Sequence, residues 1–238
     1  MEILEQNAAY VVCVKPAGIP SQGEGPEAMP ARLAAELRAL SAQPAAQPPA
    51  QPPAQPAAGP SASPAEPSLG LHGEIYPVHR LDLNVGGVMV YARTKQAAAS
   101  LSRAIQDGSM VKEYVAMVHG TPPETGDWED LLFKDSGKNK VFVVGRMRGG
   151  VKKARLEYRL LRAGETSLVR IRLHTGRSHQ IRVQFASRGY PLVGDHKYGS
   201  RDEANAPMLF SCRLTFPYRG KMRSFEAYPP WADTKEAM

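Results

Sequence analysis

The stretch from residue 79 to residue 93 reads His-Arg-Leu-Asp-Leu-Asn-Val-Gly-Gly-Val-Met-Val-Tyr-Ala-Arg. Its first part is polar, and the run from Gly87 to Arg93 is apolar with β-branched and aromatic residues, which is typical of a strand. Thr94 follows at a position where its hydroxyl can cap a helix. A further strand is indicated from Lys112 to Val118. This part of the chain is therefore predicted to form a strand, a helix and a second strand in succession.

Similar elements are predicted on both sides of this passage. They are a short buried strand from Tyr10 to Val14, a helix around Ala31 to Leu40, strands at Arg155 to Leu161 and Ser167 to His174, and a short helix from His179 to Arg188. Many of the strands are short and adjacent, without regular crossover helices between them. The sequence therefore predicts an α+β fold with a mixed, mostly antiparallel sheet.

Residues 43 to 58 consist of four tetrapeptides: Gln-Pro-Ala-Ala, Gln-Pro-Pro-Ala, Gln-Pro-Pro-Ala and Gln-Pro-Ala-Ala. None of their side chains is large enough to pack a core, and further prolines continue to Pro67. Such a segment is expected to be extended, polyproline-like or disordered. We therefore predict an inert low-complexity insertion at about residues 43 to 67, because no basic or aromatic residue accompanies the prolines as a docking motif would require.

Composition limits the class of protein. The 238 residues are 42% hydrophobic and 22% charged, which is typical of a soluble globular protein, and no apolar run is long enough to span a bilayer. The acidic N-terminus has no secretory signal pattern, so a cytoplasmic protein is expected. Cys13 and Cys212 are the two cysteines, and they supply neither a disulfide framework nor a structural zinc site. We therefore expect two buried thiols and no metal.

The net charge of +7 is unevenly distributed. Residues 1 to 78 carry a net charge of −4, so residues 79 to 238 carry +11. Ten basic residues stand between residues 151 and 188, where only two acidic residues oppose them. This asymmetry favours a polyanionic partner such as a nucleic acid. The same run of arginine and lysine is also compatible with the solvated face of several strands.

The sequence lacks the motifs of several common enzyme classes. It has no G-x-S-x-G elbow, P-loop, H-E-x-x-H pair or Rossmann glycine pattern, so hydrolases, NTPases, metalloproteases and dehydrogenases are not indicated. Polar residues instead stand among hydrophobic ones in three blocks, at residues 79 to 82, 112 to 114 and 175 to 182. Taken alone, Asp82 is most simply a loop or cap residue, Tyr114 a strand aromatic and Arg182 a surface arginine.

Taken together and in order, these blocks resemble the RluA-type family of RNA pseudouridine synthases. The resemblance is carried by His79-Arg80-Leu81-Asp82, by Lys112-x-Tyr114-x-Ala116, by the run from Gly176 to Val183, by the run from Gly189 to Asp195 with Tyr198-Gly199, and by the turn Lys15-Pro16-Ala17-Gly18. It covers most of the chain apart from the proline-rich insertion and the last residues. The sequence departs from the common pattern in two places: Val85-Gly86-Gly87 stands where Thr-Ser-Gly is usual, and Gln184 stands where many relatives have histidine.

The resemblance implies one catalytic domain over residues 1 to 238, interrupted by the insertion, with a central RNA-binding cleft and no N-terminal S4-like RNA-binding module. Asp82 would be the catalytic carboxylate, Tyr114 would stack on the target uracil, and Arg182 would pair with Asp82. The reaction exchanges an N1–C1′ bond for a C5–C1′ bond without net oxidation, so no cofactor is expected. A carboxylate can attack C1′, remove a sugar proton or stabilise positive charge there, and an adjacent guanidinium would keep it ionised.

The resemblance also implies how RNA would be held. The target uridine has to leave the base stack before it can react. Arg80 is similar to the family arginine that enters the RNA when the base flips, while Arg177, Lys152 and Lys153 are candidates for phosphate contacts. The substrate would be ribosomal or transfer RNA, bound by a monomeric protein in the cytoplasm.

Two other functions remain open at this point. A noncatalytic RNA-binding or ribosome-assembly factor would keep the fold and lose the chemistry, although Asp82, Tyr114 and Arg182 are all present. A glycosidase-like hydrolase acting on nucleosides would need two carboxylates beside the sugar, and these blocks supply only Asp82 as an obvious one. Analysis of the reaction product would separate the three functions.

Overall fold

A computed structural model of the chain describes residues 1–42 and 74–232. The insertion predicted at residues 43 to 67 lies outside the described residues, as do residues 233–238. In the described part of the chain, no helix is long and apolar enough to cross a lipid bilayer.

The described residues form eleven strands. They are β1 (Glu2–Gln6), β2 (Tyr10–Lys15), β3 (Tyr76–Pro77), β4 (Gly86–Ala92), β5 (Val111–His119), β6 (Thr125–Asp135), β7 (Lys140–Val144), β8 (Val151–Arg162), β9 (Thr166–Leu173), β10 (Leu209–Tyr218) and β11 (Lys221–Glu226). The five predicted strands correspond to β2, β4, β5, β8 and β9. The start of β8 was predicted too late, because Lys152 and Lys153 interrupt the apolar pattern there although both residues pair with β6.

Three α-helices accompany the strands in the described part of the chain, namely α1 (Met29–Ala42), α2 (Lys95–Gln106) and α3 (Gln180–Ala186). All three were predicted, and Thr94 caps α2 because its Oγ1 accepts a hydrogen bond from Ala97 N at 3.1 Å. The last helix is shorter than predicted, since His179 has a left-handed backbone with φ 50° and stands outside it. Gln184 in α3 donates from Nε2 to Asp130 Oδ2 at 2.7 Å, which links this helix to β6.

The strands pair in the order β1-β2-β4-β10-β5-β9-β8-β6-β7, with β3 beside β4 and β11 beside β10. Among the described strands, β10 runs parallel to β4, and the other pairs are antiparallel. The predicted α+β class and the mixed, mostly antiparallel sheet are confirmed. The strand β10 comes late in the chain yet lies between β4 and β5, so it joins the earlier strands to the later ones.

Helices pack on both faces of the sheet. On one face, α1 and α3 contribute Leu33, Ile181 and Phe185 to a core shared with β2, β4, β5, β8 and β9. On the other face, α2 contributes Leu101 to a second core that includes Phe216 of β10. The two cysteines are buried free thiols, as predicted. The burial of these apolar side chains is the main contribution to the stability of the sheet and its helices.

The glycine at the start of β4 is required by the close approach of β10. Gly87 has a φ of +129°, and a Cβ atom there would lie 2.4 Å from the backbone oxygen of Ser211. Any side chain would therefore push the two strands apart. Ser211 Oγ also donates a hydrogen bond to Val88 O at 3.1 Å. The loop that carries Asp82 thus leads directly into an anchored position in the middle of the sheet.

Candidate active site

Asp82 lies in the loop before β4, and a buried lysine holds this loop in place. The Lys15 side chain is completely buried at the end of β2. Its Nζ donates hydrogen bonds to Pro16 O at 2.8 Å, to Ile19 O at 2.7 Å and to Leu83 O at 3.1 Å. One ammonium group therefore ties the turn after β2 to the residue that follows Asp82.

The environment of Lys15 also reflects the carboxylate nearby. Burial lowers the pKa of Lys15 to about 8, and the Asp82 carboxylate opposes this shift. Ser21 Oγ adds a second tie by donating to Leu81 O at 2.9 Å. The residues on both sides of Asp82 are thus fixed to the segment after β2, so the carboxylate has a defined position before any ligand binds.

Arg182, in the first turn of α3, contacts two carboxylates. Its Nη1 donates to Asp82 Oδ2 at 3.0 Å, while its Nε and Nη2 donate to Asp195 Oδ2 and Oδ1 at 2.7 and 2.8 Å. Asp195 is only 1% exposed. Burial lowers the pKa of Arg182, but its hydrogen bonds with Asp195 and Asp82 raise it overall. Among the described residues, the second oxygen of Asp82 has no hydrogen-bond partner, and Asp82 lines the cleft described below.

His179, immediately before α3, is a further neighbour of Asp82. Its Nε2 lies 3.8 Å from Asp82 Oδ2, and its Nδ1 lies 2.9 Å from the Tyr198 hydroxyl. That hydroxyl accepts a hydrogen bond from Val141 N at 2.9 Å, so its own hydrogen is available to His179 Nδ1. In this tautomer Nε2–H faces Asp82. Burial lowers the pKa of His179, so the ring is neutral near neutral pH.

Tyr114 lies on β5, on the same side of the sheet as the Asp82 loop. Its side chain is buried in the core, and its ring also forms part of a cavity wall. Burial, and after it the charge of Asp82, raise the pKa of the Tyr114 hydroxyl. Tyr114 therefore presents a flat neutral ring with a protonated hydroxyl group.

A cleft with a volume of about 490 Å³ opens beside these residues. Its walls come from the Asp82 loop, β5, the end of α2 and the segment from residue 173 to residue 182. The structure brings five of the predicted site residues together along these walls, namely Asp82, Tyr114, Arg182, Arg80 and Arg177. Arg80 and Arg177 are exposed, whereas the other three are partly or fully buried.

Lys152 and Lys153, which were also predicted to contact RNA, do not line this cleft. Both are exposed residues of β8. Lys153 Nζ lies 3.4 Å from Glu129 Oε1, and its backbone oxygen accepts a hydrogen bond from Arg177 Nε at 2.9 Å. Their position is therefore behind the cleft wall rather than on its inner surface.

Sequence reasoning did not single out three residues that the structure brings to the cleft or its charged groups. His179 and Asp195 stand inside the motif runs that carry the family resemblance, and this was the available signal for them. Lys112 belongs to the Lys112-x-Tyr114 block, and its side chain is 9% exposed and lines the cleft. Within residues 1–42 and 74–232, no cluster of three or more His, Cys, Asp or Glu side chains could hold a metal ion.

Comparison with known sequences supports a family assignment. Residues 9–187 match the family described as RNA pseudouridylate synthase. The chain is 44% identical over 139 residues to an uncharacterized RNA pseudouridine synthase of Chloroflexus aurantiacus, covering 57% of this chain and 43% of that one. It is 34% identical over 177 residues to ribosomal large subunit pseudouridine synthase D of Zymomonas mobilis, covering 68% and 55%. It is 35% identical over 157 residues to the dual-specificity RNA pseudouridine synthase RluA of Escherichia coli, covering 63% and 71%.

Solved structures agree at the level of the fold. Human RNA pseudouridylate synthase domain containing 1 superposes with a TM-score of 0.72 at 18% identity, over 97% of this chain and 84% of that one. Human RNA pseudouridylate synthase domain containing 4 gives a TM-score of 0.70 at 22% identity, over 97% and 89%. The chain spans about half the length of the first curated relatives that it matches. The family match over residues 9–187 and the RluA and synthase D relatives together establish that this chain belongs to the RNA pseudouridylate synthase family and is of the RluA type.

Proposed function

We propose that this protein converts uridine to pseudouridine within an RNA strand and that Asp82 is the catalytic carboxylate. The observation that carries the proposal is the position of Asp82 at the wall of a nucleotide-sized cleft, with one carboxylate oxygen bound by Arg182 at 3.0 Å. The other oxygen has no hydrogen-bond partner in the part of the chain that the structure describes, so it would be available to a bound nucleotide. A carboxylate that is oriented by a guanidinium and lies at the wall of a cleft meets the requirements for chemistry at a ribose carbon.

The reaction breaks the N1–C1′ bond of uridine, turns the uracil and forms a C5–C1′ bond, after which the C5 proton leaves and N1 gains one. Atoms and electrons balance within the substrate. Asp82 can attack C1′, remove a proton from the sugar or stabilise positive charge at C1′. Each route uses the carboxylate anion, to which Arg182 can donate a charge-assisted hydrogen bond.

A hydrolase with two carboxylates beside the sugar is less compatible with this geometry. Asp195 is the second carboxylate near Asp82, but both of its oxygens accept hydrogen bonds from Arg182. Because Asp195 is also only 1% exposed, it cannot approach a ribose in the cleft. A pair of carboxylates flanking a glycosidic bond would have to leave room for the sugar between them.

The other predicted residues fit supporting roles in this proposal. Tyr114 would stack on the uracil through its ring, and its hydroxyl would act as a proton donor or carrier rather than as an ionised base, because its pKa is raised. Arg80, exposed at the rim of the cleft, would fill the space left by the flipped base. Arg177 would contact phosphate, and Lys152 and Lys153 would add electrostatic attraction from farther away.

The RNA would be ribosomal or transfer RNA. The names of the synthase D relatives refer to the large ribosomal subunit, which favours ribosomal RNA as the first substrate to examine. We also propose that the protein acts as a monomer in the cytoplasm. Mapping pseudouridine across ribosomal and transfer RNA in cells with and without the protein would identify the modified position.

The test of the catalytic role is Asp82→Asn, because asparagine keeps the size and hydrogen-bonding capacity of a loop residue but removes the anionic oxygen. We expect the variant to fold, to bind RNA and to form no detectable pseudouridine. The matched control is Asp127→Asn, which changes an aspartate that is exposed on β6 and paired with Arg155. Its activity should equal that of the parent.

Product is measured by nucleoside analysis of total RNA incubated with each protein, and folding is measured by circular dichroism. If Asp82→Asn, checked for deamidation to aspartate, still makes pseudouridine at the rate of the parent, then Asp82 is not the catalytic group. If the parent binds RNA and makes no pseudouridine in any RNA from its host, the noncatalytic binding function becomes the better account.

A further inference from the structure

The cleft contains a buried cation that the proposed chemistry does not use. Lys112, at the start of β5, is 9% exposed and lines the cleft together with Tyr114. The two side chains lie on the same face of β5, because they are two residues apart, which places their Cα atoms about 7 Å from each other. The Cα atoms of Lys112 and of the tyrosine that would stack on the uracil are therefore separated by about the length of one nucleotide.

Among the described residues, no protein anion neutralises the ammonium group of Lys112. Within the described part of the chain, its Nζ makes no hydrogen bond and has no carboxylate within ion-pair distance. The charged side chain that acts on Lys112 is Arg177, which is a second cation. Arg177 is not paired with a carboxylate among the described residues either. Two neighbouring cations without a counterion are costly in a partly buried site, so this arrangement is suited to receive an anion.

The backbone around Lys112 also leaves space for the ammonium group. A Cβ atom at Gly176 would lie 3.3 Å from Lys112 Nζ, so the glycine lets the amine lie directly against the segment from residue 175 to residue 177. The neighbouring His79 adds no charge to this site, since burial lowers its pKa to about 3 and its ring is neutral. Burial, and then Arg177, lower the pKa of Lys112 as well.

We propose that Lys112 and Arg177 form a phosphate-binding site inside the cleft, which holds a phosphate next to the target nucleotide while Tyr114 contacts its base. This inference rests on the proposed function for the identity of the ligand as RNA. A lysine ammonium is a compact charge that suits a phosphate oxygen, and arginine can contact the same group from the side. Lys112 would thus be a binding residue that fixes how deeply the nucleotide enters the cleft.

The experiment measures binding, without turnover, of a short single-stranded RNA in which one uridine is flanked by adenosines. The proteins are the parent, Lys112→Met, Lys112→Arg and the control Lys95→Met. Lys95 is an exposed lysine at the first residue of α2, whereas the cleft is lined by Ile105 and Gln106 at the other end of that helix. Fluorescence anisotropy over a series of salt concentrations gives the affinity and its salt dependence.

We expect Lys112→Met to bind at least about tenfold more weakly and its salt slope to fall by about 0.7, the value for one phosphate contact on a single strand. Lys112→Arg should recover most of the affinity, and Lys95→Met should behave as the parent. A second RNA carries uncharged methylphosphonate linkages on both sides of the uridine. The parent should lose affinity for this RNA, and Lys112→Met, which keeps only the Arg177 contact, should lose clearly less affinity than the parent does.

The opposite results overturn the inference. If Lys112→Met binds the charged RNA with the affinity and salt slope of the parent, Lys112 does not hold a phosphate. If that variant then forms less pseudouridine although its binding is unchanged, Lys112 would be assigned to proton transfer instead. If Lys112→Met still discriminates the uncharged RNA as strongly as the parent does, the phosphate is held elsewhere. Lys112→Gln repeats the measurement should the methionine variant fail to fold. A parent that makes no pseudouridine but shows the Lys112-dependent phosphate contact would refute the proposed function and support this inference.

Discussion

The buried ion pair between Arg182 and Asp195 should have a much larger effect on stability than an exposed pair of the same geometry. Among the described residues, Arg182 is the partner of both oxygens of Asp195, which is 1% exposed. Replacing Arg182 by methionine leaves this buried carboxylate without a cation, at a cost of about 3–5 kcal/mol. For a chain of this length, that loss corresponds to a fall of roughly 10 °C in the thermal midpoint.

A double-mutant cycle isolates the interaction. The variants are Arg182→Met, Asp195→Leu and the combination, and urea unfolding followed by circular dichroism gives the free energy of unfolding of each. Because the double variant no longer buries an unpaired charge, it should be less damaged than the sum of the single variants by about 2–3 kcal/mol.

The exposed pair of Arg155 and Asp127 provides the matched control. Arg155 Nε and Nη2 donate to the two oxygens of Asp127 at 2.9 and 2.8 Å, so this pair has the same two-bond geometry. Both side chains are exposed to solvent, and their coupling should be no more than about 1 kcal/mol. Equal coupling in the two cycles, or additive effects of Arg182→Met and Asp195→Leu within about 0.5 kcal/mol, would refute the reasoning.

Two further predictions concern the region around Asp82. Gly87→Ala should destabilise the protein by at least about 3 kcal/mol, because the new Cβ would meet backbone atoms of Ser211. The control Gly108→Ala also lies at positive φ but has no atom within 4 Å of the new Cβ, so it should cost only about 1–2 kcal/mol. Similar unfolding midpoints for the two variants would contradict this reasoning. His79 should make the protein acid-sensitive: its folded-state pKa of about 3 lies below its unfolded value, so stability falls by up to about 1.4 kcal/mol per pH unit as the pH drops from about 6 to 4. His79→Gln should flatten that slope in urea titrations, and an unchanged slope would show that other groups cause it.

The elements around Asp82 could be predicted from the sequence because their signals are local. The apolar run of β4, the Thr94 cap of α2 and the start of β5 each depend on residues close together in the chain. The pairing of β10 between β4 and β5 depends on residues more than 90 positions apart, such as Ser211 and Tyr114, and no local pattern encodes it. The hairpin of β6 and β7 was missed because much of it is exposed and its apolar pattern is weak.

The candidate site shows the same division. Arg182 and Asp82 were paired on the basis of a family resemblance, since the two residues are 100 positions apart. Asp195 was not assigned a role, because its contact with Arg182 depends on the path of the chain after α3. Lys112 would normally be interpreted as a solvent-facing lysine at the start of a strand. Its burial depends on the segment around Gly176, which packs against it only in the assembled sheet.

The position of β10 has a consequence for the time at which the site forms during synthesis. Lys15 at the end of β2 and Asp82 in the loop before β4 lie on one side of β10, while Tyr114 and Arg182 belong to β5 and α3, which follow on the other side. Translation adds roughly 5–20 residues per second, so the ribosome delivers both halves about 2–6 s before the end of Leu209–Tyr218 leaves the exit tunnel. Until then β4 and β5 each have an edge that lacks its β10 partner, and the strand that joins the two sides of the candidate site within the sheet is absent.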